Sequence, residues 1–473
     1  MDLPSLSNAL GVVLRAGGRV LPPLGNGVLG SNDNSSKQDL LPPINRIPVE
    51  ILAEVFFRFL EIPSDYFPDR PMLAVTSRCM ANPFILGHVC IHWRAVALST
   101  PTLWSSLAIH KPASWMAPMV QIWLQRAKNC PLSLYLYVHC KPSRPEIVGA
   151  DAILPLFVMC LPRWKNVTFY LNGGPYDSLL GLPNHTARML ECALLDLKSW
   201  DHASADQVWR SLSSSPKLRR VFWDNRYMLH HLPAHMPWTQ LTHLRMDMGP
   251  GSVAPDALLE LLRSCQELVE LHFVPRIPIR NIPRVSPFIL PKLRVLTVQT
   301  LCRWDPSLIL GCLILPALAS INIRHGHISS ERQSILYLKD LLARSSCQLK
   351  NISLWDTGIE EAEIVDFLST SPAQFITALD IDVPGSITEA TIALLTHDPD
   401  DPRTLVLTHL KTLKLHTIRC SDGVLSKMIR SRLPYLEFCE ASAEATNLHL
   451  ADRIFMASMQ SAGFNFSLDL IDL

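Results

Sequence analysis

The chain has 473 residues, with 43 basic against 42 acidic side chains and a formal charge of +1. It is too long for one compact core, which predicts two to four domains or one domain plus a repeat array. Without a surplus of positive charge no global field draws it to nucleic acid or an anionic membrane, and neither is expected as a partner. The 12 cysteines are scattered with no CxxC pair and no metal-ligand spacing, which fits reduced, packed thiols in a cytoplasmic or nuclear protein that holds no metal. No stretch approaches the ~18 uncharged apolar residues of a membrane span, and residues 1–14 lack the pattern of a secretory leader.

Residues 1–40 read as a disordered N-terminal segment. Gly25, Gly27 and Gly30 match GxGxxG, but Pro22-Pro23 stand where a strand is needed and a polar run follows where a helix is needed, so the match carries no dinucleotide site. A helix starts near Pro48, whose missing N–H is no loss in a first turn, with Glu50 favoured by the helix dipole. Ile51, Leu52, Val55, Phe56 and Phe59 recur on one face of it, and Glu54 and Arg58 on the other. A second apolar helix is expected over residues 86–98, with Val89, Trp93, Val96 and Ala97 on its stripe. Ser99-Thr100-Pro101 then caps a third, short helix carrying Leu103, Trp104 and Leu107. A proline-rich insert, residues 61–83, separates the first two. The segment 41–110 contains no catalytic chemistry and reads as a small helical docking surface.

In the order Ile47-Pro48-x-Glu50-Ile51-Leu52-x-x-Val55-Phe56, then Val89-Cys90-x-x-Trp93-Arg94-x-x-Ala97, then Thr100-Pro101-x-Leu103-Trp104-x-x-Leu107, this segment resembles the F-box-like domain of the expanded families of mushroom-forming fungi. The resemblance implies docking onto a Skp-type adaptor and, through it, a cullin ubiquitin ligase. The adaptor surface is expected among Ile47, Pro48, Ile51, Leu52, Val55, Phe56, Val89, Trp93, Leu103 and Trp104, some of which must instead form the core of the domain. The insert at 61–83 is longer than the usual turn between these helices, and either leaves the docking face open or obstructs it.

Residues 111–160 follow as a linker, with a helix-like stretch at 119–124 and a strand-like alternation at 132–138, expected to pack onto what comes next. From 161 to 473 the chain is periodic. A unit apolar-x-x-apolar-x-apolar starts at Trp164, Cys192, Leu218, Leu241, Leu268, Leu293, Leu318, Leu349, Ile376, Leu410 and Leu433, at spacings of 23 to 34 residues, mostly within the roughly 20–29 of leucine-rich repeats. Between units the apolar period lengthens to that of a helix, as at Leu258, Leu261 and Leu262, at Leu338, Leu341 and Leu342, and at Leu425, Met428 and Ile429. The predicted fold is therefore α/β: a small helical F-box followed by an irregular leucine-rich-repeat solenoid of parallel strands backed by helices, curving as a horseshoe. The asparagine usual after each strand of such repeats appears only as Asn172, while Arg226, Gly249, Arg276, Thr357 and Pro384 stand elsewhere. That departure predicts irregular turns and protruding loops.

Alternation along each strand places the third, fifth and seventh positions on the open sheet face. A protein client is expected there, held through Phe222, Arg245, His272 and Trp355, since aromatic and arginine side chains are enriched at interface hot spots. The face mixes both signs of charge, unlike a groove that tracks phosphates. His88 and His92 have metal-compatible spacing but no third ligand nearby. Glu360, Glu361 and Glu363 fall where a repeat helix starts and suit its dipole, and Asp398, Asp400 and Asp401 read as a solvated turn. No GxSxG, phosphate-binding loop or HExxH occurs. The chain is therefore expected to be no enzyme, to carry no catalytic residue and no cofactor, and to act as the substrate-recognition subunit of a ubiquitin ligase, or as a scaffold outside one.

Overall fold

The computed structural model describes residues 46–60, 72–74, 81–197, 199–225, 235–248, 255–275, 286–300, 307–325, 335–355, 359–398, 406–433, 435–444 and 449–471. The segment 1–40 with its GxGxxG, most of the insert, and the turn positions Arg226, Gly249, Arg276 and Thr357 lie outside them. The chain divides into two compact units, one ending at Lys217 and one beginning at Leu218. Both are α/β, built from parallel strands joined through helices.

In the first unit, α1 spans Val49–Leu60 and buries Leu52, Phe56 and Leu60. The expected second helix is broken. A 3-10 turn covers Ile85–His88, then Cys90 turns extended and its sulfur accepts the Trp93 N–H, capping α2 at Ile91–Ser99. The expected third helix is only the 3-10 turn Pro101–Trp104; Leu107 belongs to strand β2, Ser106–His110. The break has a local cause, since an extended residue satisfies the orphan N–H groups of a helix start only outside the helix itself.

Strand β1, Met72–Ala74, comes from the insert and runs antiparallel to β2. From β2 onward the pairing is parallel, through β3 (Leu132–Tyr137), β4 (Trp164–Tyr170) and β5 (Cys192–Asp196). The stretch expected as a linker thus carries a full strand of the sheet, and its helix, α3 at Ala117–Arg126, buries Val120, Trp123 and Leu124. Helix α4, Arg144–Val158, comes so close to the chain after β2 that a Cβ on Gly149 would sit 2.4 Å from the Pro112 carbonyl oxygen. A one-turn α5, Asp177–Leu180, and α6, His202–Ser213, complete the unit.

In the second unit the strands are β6 (Arg220–Asn225), β7 (His243–Met248), β8 (Glu270–Pro275), β10 (Val295–Thr300), β12 (Ser320–His325), β13 (Asn351–Trp355), β14 (Ala378–Thr388), β15 (Thr412–Arg419), β16 (Phe438–Glu444) and β17 (Asn465–Ile471), each parallel to the next. Short β9 (Phe288–Ile289) and β11 (Leu313–Ile314) pair with one another. Helices α7 (Pro255–Ser264), α8 (Ser307–Leu310), α9 (Leu336–Ser345), α10 (Glu361–Leu368), α11 (Glu389–Leu395), α12 (Val424–Arg432) and α13 (Leu450–Ser461) join them. The register is regular. Leu244, Leu271, Leu296, Ile321, Ile352, Leu379, Leu413, Cys439 and Phe466 align across the sheet as one row, and every member is buried. Stacking supplies the core that no single unit could build.

The pairing corrects the phase of two units. Val167 faces Ala193, so the unit beginning at Trp164 is matched by one beginning at Leu190, two residues before Cys192. Leu413 faces Cys439, so the unit after Leu410 begins at Leu436, not Leu433. β17 adds a repeat beyond the last one expected.

Candidate functional site

Two surfaces emerge, one on each unit. On the first, the motif residues separate by burial. Leu52, Phe56, Trp93, Leu103 and Trp104 are each at most 1 % exposed and form a core, with the Phe56 and Trp93 rings 4.9 Å apart and the Trp104 Nε1 donating to the Ala97 carbonyl at 2.8 Å. These five cannot offer a surface. Ile47, Val55 and Val89 are half-buried and Pro48 is exposed, while Ile51 is 56 % exposed. The outward apolar set continues through Val49, Ile85, Ile91 and Leu98, none of which sequence reasoning singled out. Ile91, at 88 % exposure, is the extreme case. Its signal was present: it lies about 200° around the helix from Trp93, so an apolar side chain there faces away from the buried stripe.

On the second unit, the open face carries the row Phe222, Arg245, His272, Thr297, Asn322, Ser353, Asp380, Lys414, Glu440. Phe222, Arg245 and His272 are thus brought together on three adjacent strands. The Arg245 guanidinium stacks 4.8 Å from the Phe222 ring centroid. Burial, reinforced by the Arg245 charge, lowers the pKa of His272 to about 4, so its imidazole is neutral at physiological pH. Trp355 does not join them. It sits on β13 in the neighbouring row, under Arg324 at 4.7 Å.

Trp355 belongs to a second cluster centred on Asp380. One carboxylate oxygen accepts from the Ser353 hydroxyl at 3.2 Å and from the Trp355 Nε1 at 3.3 Å. The other lies 3.7 Å from His416 Nε2, whose Nδ1 is 3.4 Å from the Ser442 hydroxyl. Serine, histidine and aspartate in line invite a catalytic reading. Ser442 argues against it, being 5 % exposed with its oxygen taken by the Thr417 N–H at 3.3 Å. The line braces the sheet face and leaves Arg324 and Trp355 outermost, a surface suited to a polypeptide.

The remaining polar motifs are structural. His88 is exposed at a turn end and His92 is half-buried, and no third ligand joins them among the described residues. Asn172 is buried and donates to the Val138 carbonyl at 3.1 Å, tying one repeat turn to the previous strand. Glu361 accepts four hydrogen bonds from Thr388 and Thr391 of the next repeat. Asp422 does the same for the start of α13 through the Ala451 and Asp452 N–H groups, while Asp452 accepts from Gly423 and Ser426. Asp422, His449 and Asp452 therefore cluster as interlocked helix caps. Glu360 stands at the start of α10, and Glu363 in its first turn accepts the Ile335 N–H at 2.8 Å; Asp398 follows the end of α11 and is exposed, and Asp400 and Asp401 lie outside the described residues. A depression of about 740 Å³ beside these caps has Glu389 bonded to Ser421 and Arg419 paired with Glu444.

Among the described residues no helix is long and apolar enough to cross a membrane. No protein-family model matches the chain, and no curated protein matches it. Among solved structures it is similar to a protein of Bacteroides fragilis determined by a structural genomics consortium, at 13 % identity over 68 % of this chain and 77 % of that one, with a TM-score of 0.34.

Proposed function

We propose that the chain is the substrate-recognition subunit of a Skp–cullin–F-box ubiquitin ligase, with α1 and α2 docking a Skp-type adaptor and the open sheet face holding a protein client. The observation that carries this reading is the division within the F-box-like motif. Its aromatic members form a closed core, while Ile51 and Ile91 stand outward on two helices packed through Phe56 and Trp93. Single exposed apolar residues are ordinary, but several on adjoining helices are what a partner must cover. The mechanism is proximity: the complex holds a client lysine near a conjugating enzyme, and the chain contributes no reacting group.

Purification of the tagged full chain with mass spectrometry tests it. The wild type is expected to recover adaptor and cullin, and Ile51→Asp with Ile91→Asp to lose both while keeping the wild-type unfolding midpoint. A folded wild type that recovers neither sinks the proposal. For the client face, Phe222→Ala, Arg245→Ala and Trp355→Ala together should abolish client recovery and spare the adaptor. The second reading, a scaffold acting outside a ligase, rests on the long insert at 61–83, which contributes β1 to the sheet against β2. It predicts clients without adaptor or cullin.

A further inference from the structure

A separate cavity of about 280 Å³ lies in the first unit between the 83–88 turn, α2 and the end of α3, and its lining includes Phe84, His88, Arg94, Leu98, Trp104 and Arg126. Its walls are aromatic and its ionisable groups basic, and among the described residues no carboxylate lines it. The Arg126 guanidinium is wedged between two rings, 4.5 Å from the Trp104 centroid and 5.1 Å from that of Phe84. Those rings are fixed: the Trp104 indole N–H is committed to Ala97, and Phe84 and Trp104 meet edge to face at 5.1 Å. Arg94 is held by its Nε, which donates to the Gly87 carbonyl at 2.9 Å. That bond leaves the terminal nitrogens of its planar fork to a ligand.

Burial disfavours the charge on Arg126 and lowers its pKa from the usual value, yet an arginine keeps its proton at neutral pH. Ring faces offset part of the lost hydration. A planar fork beside a second arginine in a basic, aromatic-walled cavity matches the geometry by which guanidinium groups hold carboxylate and phosphate. The volume of about 280 Å³ lies just below the range of ligand sites, which run from about 300 Å³ upward, so the ligand is one small group.

We propose that this cavity binds an aromatic oxyanion, a carboxylate or phosphate on a planar ring, with Arg126 and Arg94 holding the anion and the half-buried Phe84 meeting the ring, over a floor set by the buried Trp104. The proposal stands independently of adaptor docking. Isothermal titration of the full chain with benzoate, phenyl phosphate and inorganic phosphate tests it. Benzoate or phenyl phosphate is expected to saturate with a dissociation constant of about 1 mM or below, and which of the two does so identifies the anion. Arg94→Met and Arg126→Met are each expected to weaken that binding ~10-fold or more, the loss of a charge-assisted hydrogen bond. Arg94 is exposed, so its variant decides the matter if Arg126→Met unfolds. Absence of saturable binding by the wild type, retention of binding in Arg94→Met, or equal binding of inorganic phosphate overturns the proposal.

Discussion

Trp104 and Trp164 hold the same place in two repeats: each indole Nε1 donates to the carbonyl seven residues before it, Ala97 at 2.8 Å and Phe157 at 2.9 Å. Trp104-x-x-Leu107-x-Ile109 and Trp164-x-x-Val167-x-Phe169 are two copies of one unit, and β2, β3 and β4 pair in parallel. The last block of the helical motif is therefore also the first repeat of the sheet. Substituting Trp104 reports on folding, not on adaptor contact. Trp104→Ala is expected to cost about 3–5 kcal/mol, as for other buried aromatic truncations, seen as a lowered midpoint in chemical unfolding. Ile91→Ala, at an outward position, should leave that midpoint within about 0.5 kcal/mol of wild type.

Gly149 permits the contact between α4 and the chain leaving β2. A methyl group there would lie 2.4 Å from the Pro112 oxygen and 2.5 Å from the Ala113 nitrogen, and both are backbone atoms that no rotamer change can move. Gly149→Ala should destabilise by at least about 2 kcal/mol despite alanine's better helix propensity. A wild-type or raised melting temperature in calorimetry would refute this packing.

Glu361 ties one repeat to the next through Thr388 and Thr391. Burial works to raise its pKa, but the hydroxyl and N–H donors of Thr388 and Thr391 outweigh it and hold the carboxyl below its usual range. A carboxylate whose pKa is depressed by folding contributes stability above its unfolded value of about 4.3, and loses it as pH falls through the folded value. Glu361→Gln should therefore be less stable than wild type by about 2 kcal/mol at pH 7, with the gap closing as pH drops below about 4. Urea midpoints of both proteins across that range check it, and a pH-independent gap would contradict the assignment.

Arg432 is 1 % exposed, and burial brings its pKa down to about 10. Its guanidinium donates to the Leu395 carbonyl, to Leu407 at 3.3 Å and to Val406 at 2.6 Å, joining the chain on both sides of residues 399–405. Arg432→Met leaves three carbonyls without that donor, at a cost of about 3 kcal/mol or more. Limited proteolysis should then cut faster near residues 395–407 than elsewhere in the second unit.

The rows of the sheet were legible because a strand alternates with period two, and buried and open positions then follow from one correctly placed residue. Phase was lost where neighbouring residues are both apolar. Cys192 with Leu195 and Leu197 satisfies the unit as well as Leu190 with Ala193 and Leu195, and only the pairing of Val167 with Ala193 chooses between them. The strand β17 escaped notice because its unit opens on Gly463. The carboxylate caps were invisible for another reason, since Glu361 and its partners at 388 and 391 are joined by no local spacing and meet only when successive repeats stack.

By itself the sequence determined the α/β class, the parallel order of most strands and the side of the sheet that most strand residues face, β16 being the exception, since backbone periodicity imposes these locally. Tertiary structure decided which members of the helical motif are core and which are surface. Ile51 and Leu52 are only 100° apart on α1, so both fit one apolar stripe. The Trp93 ring against Phe56 settles that Leu52 is covered and Ile51 is not, because close packing depends on where the neighbouring helix lies and not on the period of the one being read.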